Sequence, residues 1–326
     1  FLFARYFYNT RLIGAKKLLS QAVATQNPNG FLSEFWRLTY GNPIYSYTLL
    51  GSTPRGLLGT PPELLNGNAS VGQAILAGLF PFQGRRYKFS SFRDLPNQAG
   101  QQCLALIHSF KWLSDLHSVG SSDASTRGQE LIAQWMDIYN KWDEFCWRPD
   151  ILGARLANWT THFAFFSARA NQQFLNKSLF ELGRQSRHLS RSVLRGPPGH
   201  PRITALKGLI YAGISLPQSE KYLVLGMDGL ENQLACQLYP DGGHVSRNPK
   251  IQMDFLRDLL GIRAALLTAY FIAPNWLNQA ISRMASMLQG MRLGDGGLAR
   301  FNGAGSDEPR KIGKLLSKVK LRRKAP

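Results

Sequence analysis

Apolar residues recur at helical spacing through most of this chain. Leu104, Ile107, Phe110, Leu113 and Leu116 share one face, and Gly120-Ser121-Ser122-Asp123 ends that run. Leu131, Trp135, Ile138, Tyr139 and Trp142 predict a second helix. Arg148-Pro149-Asp150 starts a third, carrying Leu152, Leu156, Trp159 and Phe163. Phe174, Leu175, Leu179, Leu182 and Leu189 continue the pattern until Gly196-Pro197-Pro198-Gly199-His200-Pro201 stops it. A short apolar helix over 203–212 follows, then 222–238, 253–267 and 276–291. About eight helices joined by short loops result, and short connections make neighbours antiparallel. No strand alternation accompanies them, which excludes a parallel α/β sheet. A bundle, a helical solenoid and a closed ring of helical hairpins all fit this pattern. The absence of a clean internal repeat counts against the solenoid.

The texture before residue 98 is different. Residues 1–26 read as a basic amphipathic segment, with Phe3, Tyr6, Phe7, Leu12, Leu18 and Leu19 set among Arg5, Arg11, Lys16 and Lys17. Residues 27–66 are rich in Pro, Gly, Asn and Thr and read as an irregular lead-in, and 71–94 predict a short strand pair or an ordered loop. At the other end, 309–326 are strongly basic and poor in apolar residues, the pattern of a solvated, poorly ordered tail. The expected organisation is a lead-in over 1–97, a helical domain over 98–304 and a basic tail over 305–326.

Charge narrows the partners. There are 39 Lys and Arg against 20 Asp and Glu, a formal net charge of +19. Such an excess implies an anionic partner: nucleic acid, a membrane surface or an acidic polysaccharide. No nucleic-acid motif supports the first. No apolar run reaches the ~18–20 residues needed to span a bilayer. Cys103, Cys146 and Cys236 lie far apart in apolar helical patterns, so each reads as a small buried side chain; no Cys/His spacing suggests a zinc site. The first residue is Phe1, so the expectation is that the sequence starts inside a longer one.

Candidate chemistry concentrates in 239–249. Pro240-Asp241-Gly242-Gly243 is turn chemistry, and Asn248-Pro249 is a helix start with Asn as N-cap and Pro in the first turn. His244 and Arg247 stand beside the backbone N–H groups of that start, an arrangement suited to a carboxylate or sulfate. Trp159 and His162, three residues apart on one helix, either line a sugar subsite or make a packing contact. His108 and His117 read as core or surface polar residues, and Trp135, Trp142 and Trp147 as core anchors. His188 with Arg184, Arg187 and Arg191 reads as a solvated basic stripe or as part of an anion-attracting wall. Gly294-Asp295-Gly296-Gly297 lacks the Lys-Ser/Thr of a phosphate loop.

Several stretches together resemble the heparinase II/III family of polysaccharide lyases. They are His108-Ser109-Phe110-Lys111-Trp112-Leu113-Ser114-Asp115-Leu116, Trp147 to Leu156, Gln185-Ser186-Arg187-His188-Leu189, Pro240 to Pro249, and Gly294 to Gly303. The similarity runs from about residue 40 to residue 304. It implies a mainly α fold, an incomplete (α/α) toroid of antiparallel helical hairpins, followed by a domain of stacked β-sheets. After Asn302 only 24 residues remain, so the expectation is that the β domain is missing here. The implied reaction is β-elimination on a uronate-containing acidic glycan, with no cofactor and no metal. A neutraliser quenches the carboxylate, a base removes the C5 proton, and a phenol or imidazole protonates the leaving oxygen.

The resemblance points to His244 and His200 as candidate catalytic residues, with Arg247, Asn248, Arg202, Trp159 and His162 as candidate substrate contacts. Tyr239 and Tyr211 are candidate phenols. Two positions depart from the family pattern. Ile251 and Gln252 stand where relatives carry a Tyr-His pair, and His200-Pro201 stands where many carry an Asn-His pair. The alternative reading is therefore a non-catalytic, acidic-glycan-binding or envelope-associated protein. The expected location is the periplasm or cell envelope, and the cytoplasm otherwise.

Overall fold

A computed structural model describes residues 30–96, 98–305 and 309–319. The basic amphipathic segment expected over 1–26 lies outside the described residues. The chain divides into two compact units, 1–48 and 49–326. The boundary therefore falls at 48/49 rather than at 97/98. Residues 49–97 belong with the helices, and the physical reason is burial: Leu49, Ile75, Phe80, Phe89 and Phe92 are all in the core.

The smaller unit is more regular than its composition suggested. Gly30–Gly41 (α1) and Pro43–Thr48 (α2) are helical, with the side chain of Asn42 accepting the Ile44 N–H at 2.9 Å at the junction. The rings of Trp36 and Tyr40 stack at 5.7 Å, and those of Tyr40 and Tyr45 meet at 4.8 Å. Aromatic packing overrides the Pro, Gly and Asn content there.

The larger unit begins with an extended run and a short helix, Ala69–Leu76 (α3), capped by the Asn68 side chain. The antiparallel pair Leu79–Phe82 (β1) and Arg85–Lys88 (β2) follows, with Gln83 and Gly84 at positive φ in its two-residue turn. Helices then succeed one another: Gly100–His108 (α4), Trp112–His117 (α5), Ser122–Ile138 (α6), Pro149–Thr161 (α7), Phe163–Ser167 (α8), Gln172–Ser192 (α9), His200–Ser215 (α10), Glu220–Gln237 (α11), Pro249–Thr268 (α12) and Asn275–Gly290 (α13). They form the helical hairpins of an incomplete α/α toroid.

α10 is the hub. It packs against α7, α11 and α12, and it is buried nearly all round, from Ile203 to Ser215. Its contact with α7 is close because both helices carry glycine at the crossing. A Cβ on Gly208 would lie 2.2 Å from the Gly153 carbonyl oxygen, and one on Gly153 would lie 2.4 Å from the Ala205 Cα. The aromatic core lies at the other end of α7, where Phe110, Trp135 and Trp159 meet ring to ring. Arg155 is fully buried among them. Its guanidinium sits 4.2 Å from the Trp135 ring and donates to the carbonyls of His108 and Cys146 and to Gln185 Oε1. Paired in this way the charge is tolerated in the interior.

Two further expectations are corrected. The basic tail is not structureless throughout: Pro309–Ser317 (α14) is a helix whose Ile312 and Leu315 are buried, and Arg263 Nη2 donates to the carbonyls of Lys318 and Val319 at 2.7 and 2.9 Å. Two apolar residues on one face and a buried guanidinium donor hold it down. The stripe of Arg184 and His188 is interior, because Arg184 pairs with Glu181 at 2.8 Å and both pack on Trp147. Cys103 and Cys146 are buried as expected, whereas Cys236 is exposed. No helix among the described residues is long and apolar enough to cross a membrane.

Candidate functional site

α11 and α12 are joined by the turn that the sequence singled out. Leu238 and His244 form an antiparallel bridge, the Tyr239 N–H donates to the Gly243 carbonyl at 2.9 Å, and Gly242 takes φ 84°. Asp241 Oδ1 accepts the Gly243 N–H at 2.8 Å. Asn248 then caps α12, its Oδ1 accepting the N–H groups of Lys250 and Ile251 at 2.8 and 3.0 Å. That part of the sequence reading holds in detail.

His244 has both ring nitrogens engaged. Nδ1 accepts from the Ser246 N–H at 3.1 Å and lies 2.8 Å from the Ser246 hydroxyl, so the ring proton is on Nε2, which donates to Gln237 Oε1 at 3.0 Å. The side chain is buried, and burial, helped by nearby His200, lowers it to about 4. A neutral imidazole with its lone pair taken is a pin for the turn, not a free base. Gln252 completes the pin: it accepts the His244 N–H at 2.7 Å and donates to the carbonyls of Gly242 and Met284 at 2.9 and 3.1 Å. Arg247, at φ 50°, pairs with Asp241 at 2.8 Å and lies 4.4 Å from the Tyr239 ring.

His200 is placed differently. Gly199 at φ 81° turns the chain into α10, and His200 stands in the first turn, partly exposed. Its Nε2 lies 3.0 Å from Asp258 Oδ2, and Asp258 also receives Lys207 Nζ at 3.0 Å and the Thr204 hydroxyl at 3.2 Å. His200, Thr204 and Lys207 follow one face of α10, and Lys250, Asp254, Arg257 and Asp258 follow one face of α12. Burial alone would raise the Asp258 carboxyl, but Lys207 and the His200 hydrogen bond outweigh it and hold it well below the ordinary range. In the same way Asp258 offsets the burial of Lys207 and leaves its ammonium above the usual value.

A second group of charges adjoins this one. Asp254 pairs with Lys250 at 2.7 Å and with Arg257 at 3.0 Å. Lys111, in the residue just before α5, is exposed, yet the Arg257 guanidinium, and after it burial, push its ammonium down to about 8. Lys111, Lys207, Lys250 and Arg257 thus form a basic cluster in which Asp254 and Asp258 are the paired acids. None of these four cations stood out in the sequence. The signal was present as the helical spacing of Lys250, Asp254, Arg257 and Asp258, which places them on one face.

The remaining candidates fall elsewhere. Trp159 is fully buried in the aromatic core, so it offers no ring face to a sugar; its apolar size selects the interior. His162 is buried as well and faces Glu63 and His117. Arg202 Nη2 donates to the Gly196 carbonyl at 3.0 Å and braces the loop before α10. Tyr211 is buried with Lys207 Nζ 5.4 Å from its ring, and burial raises its phenol, so it is held protonated; Tyr239 is exposed beside Arg247. His200 alone of the candidate imidazoles is partly exposed and carboxylate-held.

A sequence model described as Heparinase II/III N-terminus matches residues 107–271. The FtsZ-localized protein C of Caulobacter vibrioides is 29% identical over 266 residues, covering 81% of this chain and 46% of that protein. Among solved structures, a crystal structure of Heparinase III superposes with a TM-score of 0.63 at 14% identity, covering 88% of this chain and 50% of that one. The heparan sulfate lyase HepC from Pedobacter heparinus gives 0.53 at 17% identity, covering 69% of this chain and 38% of that one. The chain spans less than half the length of its curated relative, and at these identities the structures speak for the fold alone. The matched segment contains α5 to α12 whole, hence both helix faces of the basic cluster, and on that footing the chain belongs to the heparinase II/III family.

Proposed function

We propose that this chain binds an acidic, uronate-containing polysaccharide at the basic cluster of Lys111, Lys207, Lys250 and Arg257, and that it does so without turning the glycan over. The observation that carries the reading is an excess of cations around two carboxylates: Lys207 on Asp258 at 3.0 Å, Lys250 and Arg257 on Asp254 at 2.7 and 3.0 Å, and Lys111 coupled to Arg257. Cations held this close repel one another, and an anion among them relieves that repulsion. Carboxylate or sulfate groups on a polysaccharide supply such anions in a row.

Against turnover stand Ile251 and Gln252. Gln252 spends its amide on the turn, and neither side chain transfers a proton. His244 has no lone pair to offer. The Caulobacter relative is named for localisation with FtsZ and not for an action on a glycan.

A second reading, β-elimination, is favoured by one feature: His200 is oriented by Asp258 as an acid or base would be. Incubation with a panel of acidic glycans separates the two. Saturable binding without the ultraviolet absorbance of an unsaturated uronate supports the binder. A steady rise in that absorbance, lost in His200→Ala, supports the lyase and overturns the binding-only reading.

A further inference from the structure

Away from the basic cluster, three side chains from three separate segments converge. Glu63 comes from the extended run before α3, His117 is the last residue of α5, and His162 follows α7 directly. His117 Nδ1 lies 3.4 Å from Glu63 Oε2, His162 Nε2 lies 3.8 Å from Glu63 Oε1, and one donor atom from each residue falls within 4.8 Å of the other two. We propose that Glu63, His117 and His162 form a binding site for one divalent transition-metal ion, with zinc as the best-matched cation.

Three arguments support this site. The geometry comes first. A tetrahedral zinc ion with bonds of ~2.0–2.2 Å holds its ligand atoms about 3.3 Å apart. Glu63 reaches the two imidazoles through different oxygens at 3.4 and 3.8 Å, each too long for a strong hydrogen bond, and side-chain adjustment must draw three donor atoms that lie within 4.8 Å of one another onto one ion.

The chemistry of the donors is the second argument. Two imidazoles and one carboxylate suit zinc and its neighbours, whereas calcium and magnesium take oxygen. His162 is 3% exposed, and its Nε2 stands 3.8 Å from the Glu63 carboxylate, too far for a hydrogen bond and suited to a shared ion.

The surroundings are the third. The Ser114 hydroxyl donates to Glu63 Oε1, and so orients the carboxylate from behind. His117 also borders a surface depression shared with Ser121, Ser125, Phe165 and Arg169. A metal here would clip the extended run to the ends of α5 and α7.

Zinc titration of the chelator-treated chain, free of any histidine tag, tests the site by calorimetry, with cobalt(II) as a spectroscopic probe. The expected result is one equivalent of zinc, intense visible absorption from tetrahedral cobalt, and at least tenfold weaker binding in both His117→Ala and Glu63→Gln. His117 is exposed, so its variant should keep the far-ultraviolet circular dichroism of the parent and remain a fair comparison. No saturable binding, or one-equivalent binding unchanged in both variants, overturns the proposal.

Discussion

The side-chain amide of Asn248 donates to the main-chain carbonyl of Asn302 at 2.7 Å, and the amide of Asn302 reaches back to the carbonyls of Arg247 and Ser246 at 3.2 and 3.4 Å. The two asparagines end two copies of one turn. Around Asp295 the bonds repeat those around Asp241: Gly297 N–H to Asp295 Oδ1 at 2.8 Å, Leu293 N–H to the Gly297 carbonyl at 2.9 Å, and a bridge between Arg292 and Leu298. Gly296 takes φ 82° where Gly242 takes 84°. The Asp-Gly-Gly strings that suggested ligand loops are a matched pair of brackets after α11 and α13.

Two substitutions separate the cap from the clasp. Asn248→Asp keeps an acceptor for the first turn of α12 and loses the donor to Asn302, so it should cost about 1 kcal/mol. Asn248→Ala loses both and should cost about 2 kcal/mol. Denaturant unfolding measures both: an Asn248→Asp variant as stable as the parent would show that the clasp contributes nothing, and equal costs would show the same of the cap.

The close crossing of α7 and α10 predicts a steep response to a single methyl group. Gly208→Ala places a Cβ where the Gly153 carbonyl oxygen lies 2.2 Å away. Overpacking of this kind costs ~1–3 kcal/mol, and here the obstacle is backbone, so the upper end is expected. An unchanged thermal midpoint would mean that the helices are further apart than described.

Acid should destabilise this chain early. Burial holds His108 and His188 at about 3 and His244 at about 4, against an ordinary 6.5; the arginines around His188 and Arg155 beside His108 act in the same direction. The unfolded chain takes up protons at these histidines near pH 6.5 while the folded chain does not. Stability is therefore full above that pH and declines as pH falls toward 4, by up to about 1.4 kcal/mol per pH unit for each histidine. Asp258, depressed when folded, withdraws its contribution only at lower pH still. A urea midpoint unchanged between about pH 7.5 and about pH 5 would contradict this.

Trp159 and the basic cluster should respond in opposite ways. Trp159→Phe removes part of a buried aromatic contact and should cost ~0.5–3 kcal/mol of stability with no change in glycan affinity. A fall in affinity at full folding would return Trp159 to the binding surface.

Helices were legible in the sequence because their apolar residues keep a 3.6-residue period, as in Leu131, Trp135, Trp159 and Leu182. The family and its toroid followed from the strings at 108–116, 147–156 and 240–249. The helices at 30–48 and 309–317 were not legible, since local composition spoke against them and packing decided. The site was legible only in part. A motif points to a place in the chain, and so it found His200 and the turn. Whether a histidine's nitrogens are free depends on partners such as Gln237 and Ser246, which no spacing announces. The basic cluster and the group of Glu63, His117 and His162 join distant segments, beyond the reach of short-range ligand spacing.

The most direct test of the central claim is the affinity of this chain for a sulfated or uronate-rich polysaccharide, measured by calorimetry in parent and Lys111→Ala at two salt concentrations. Lys111 is exposed, so its loss should leave folding intact. The account predicts saturable binding by the parent, weakening with salt, and a loss of about tenfold or more in Lys111→Ala, on the order of 1.4 kcal/mol. Equal affinity of parent and variant would contradict the account.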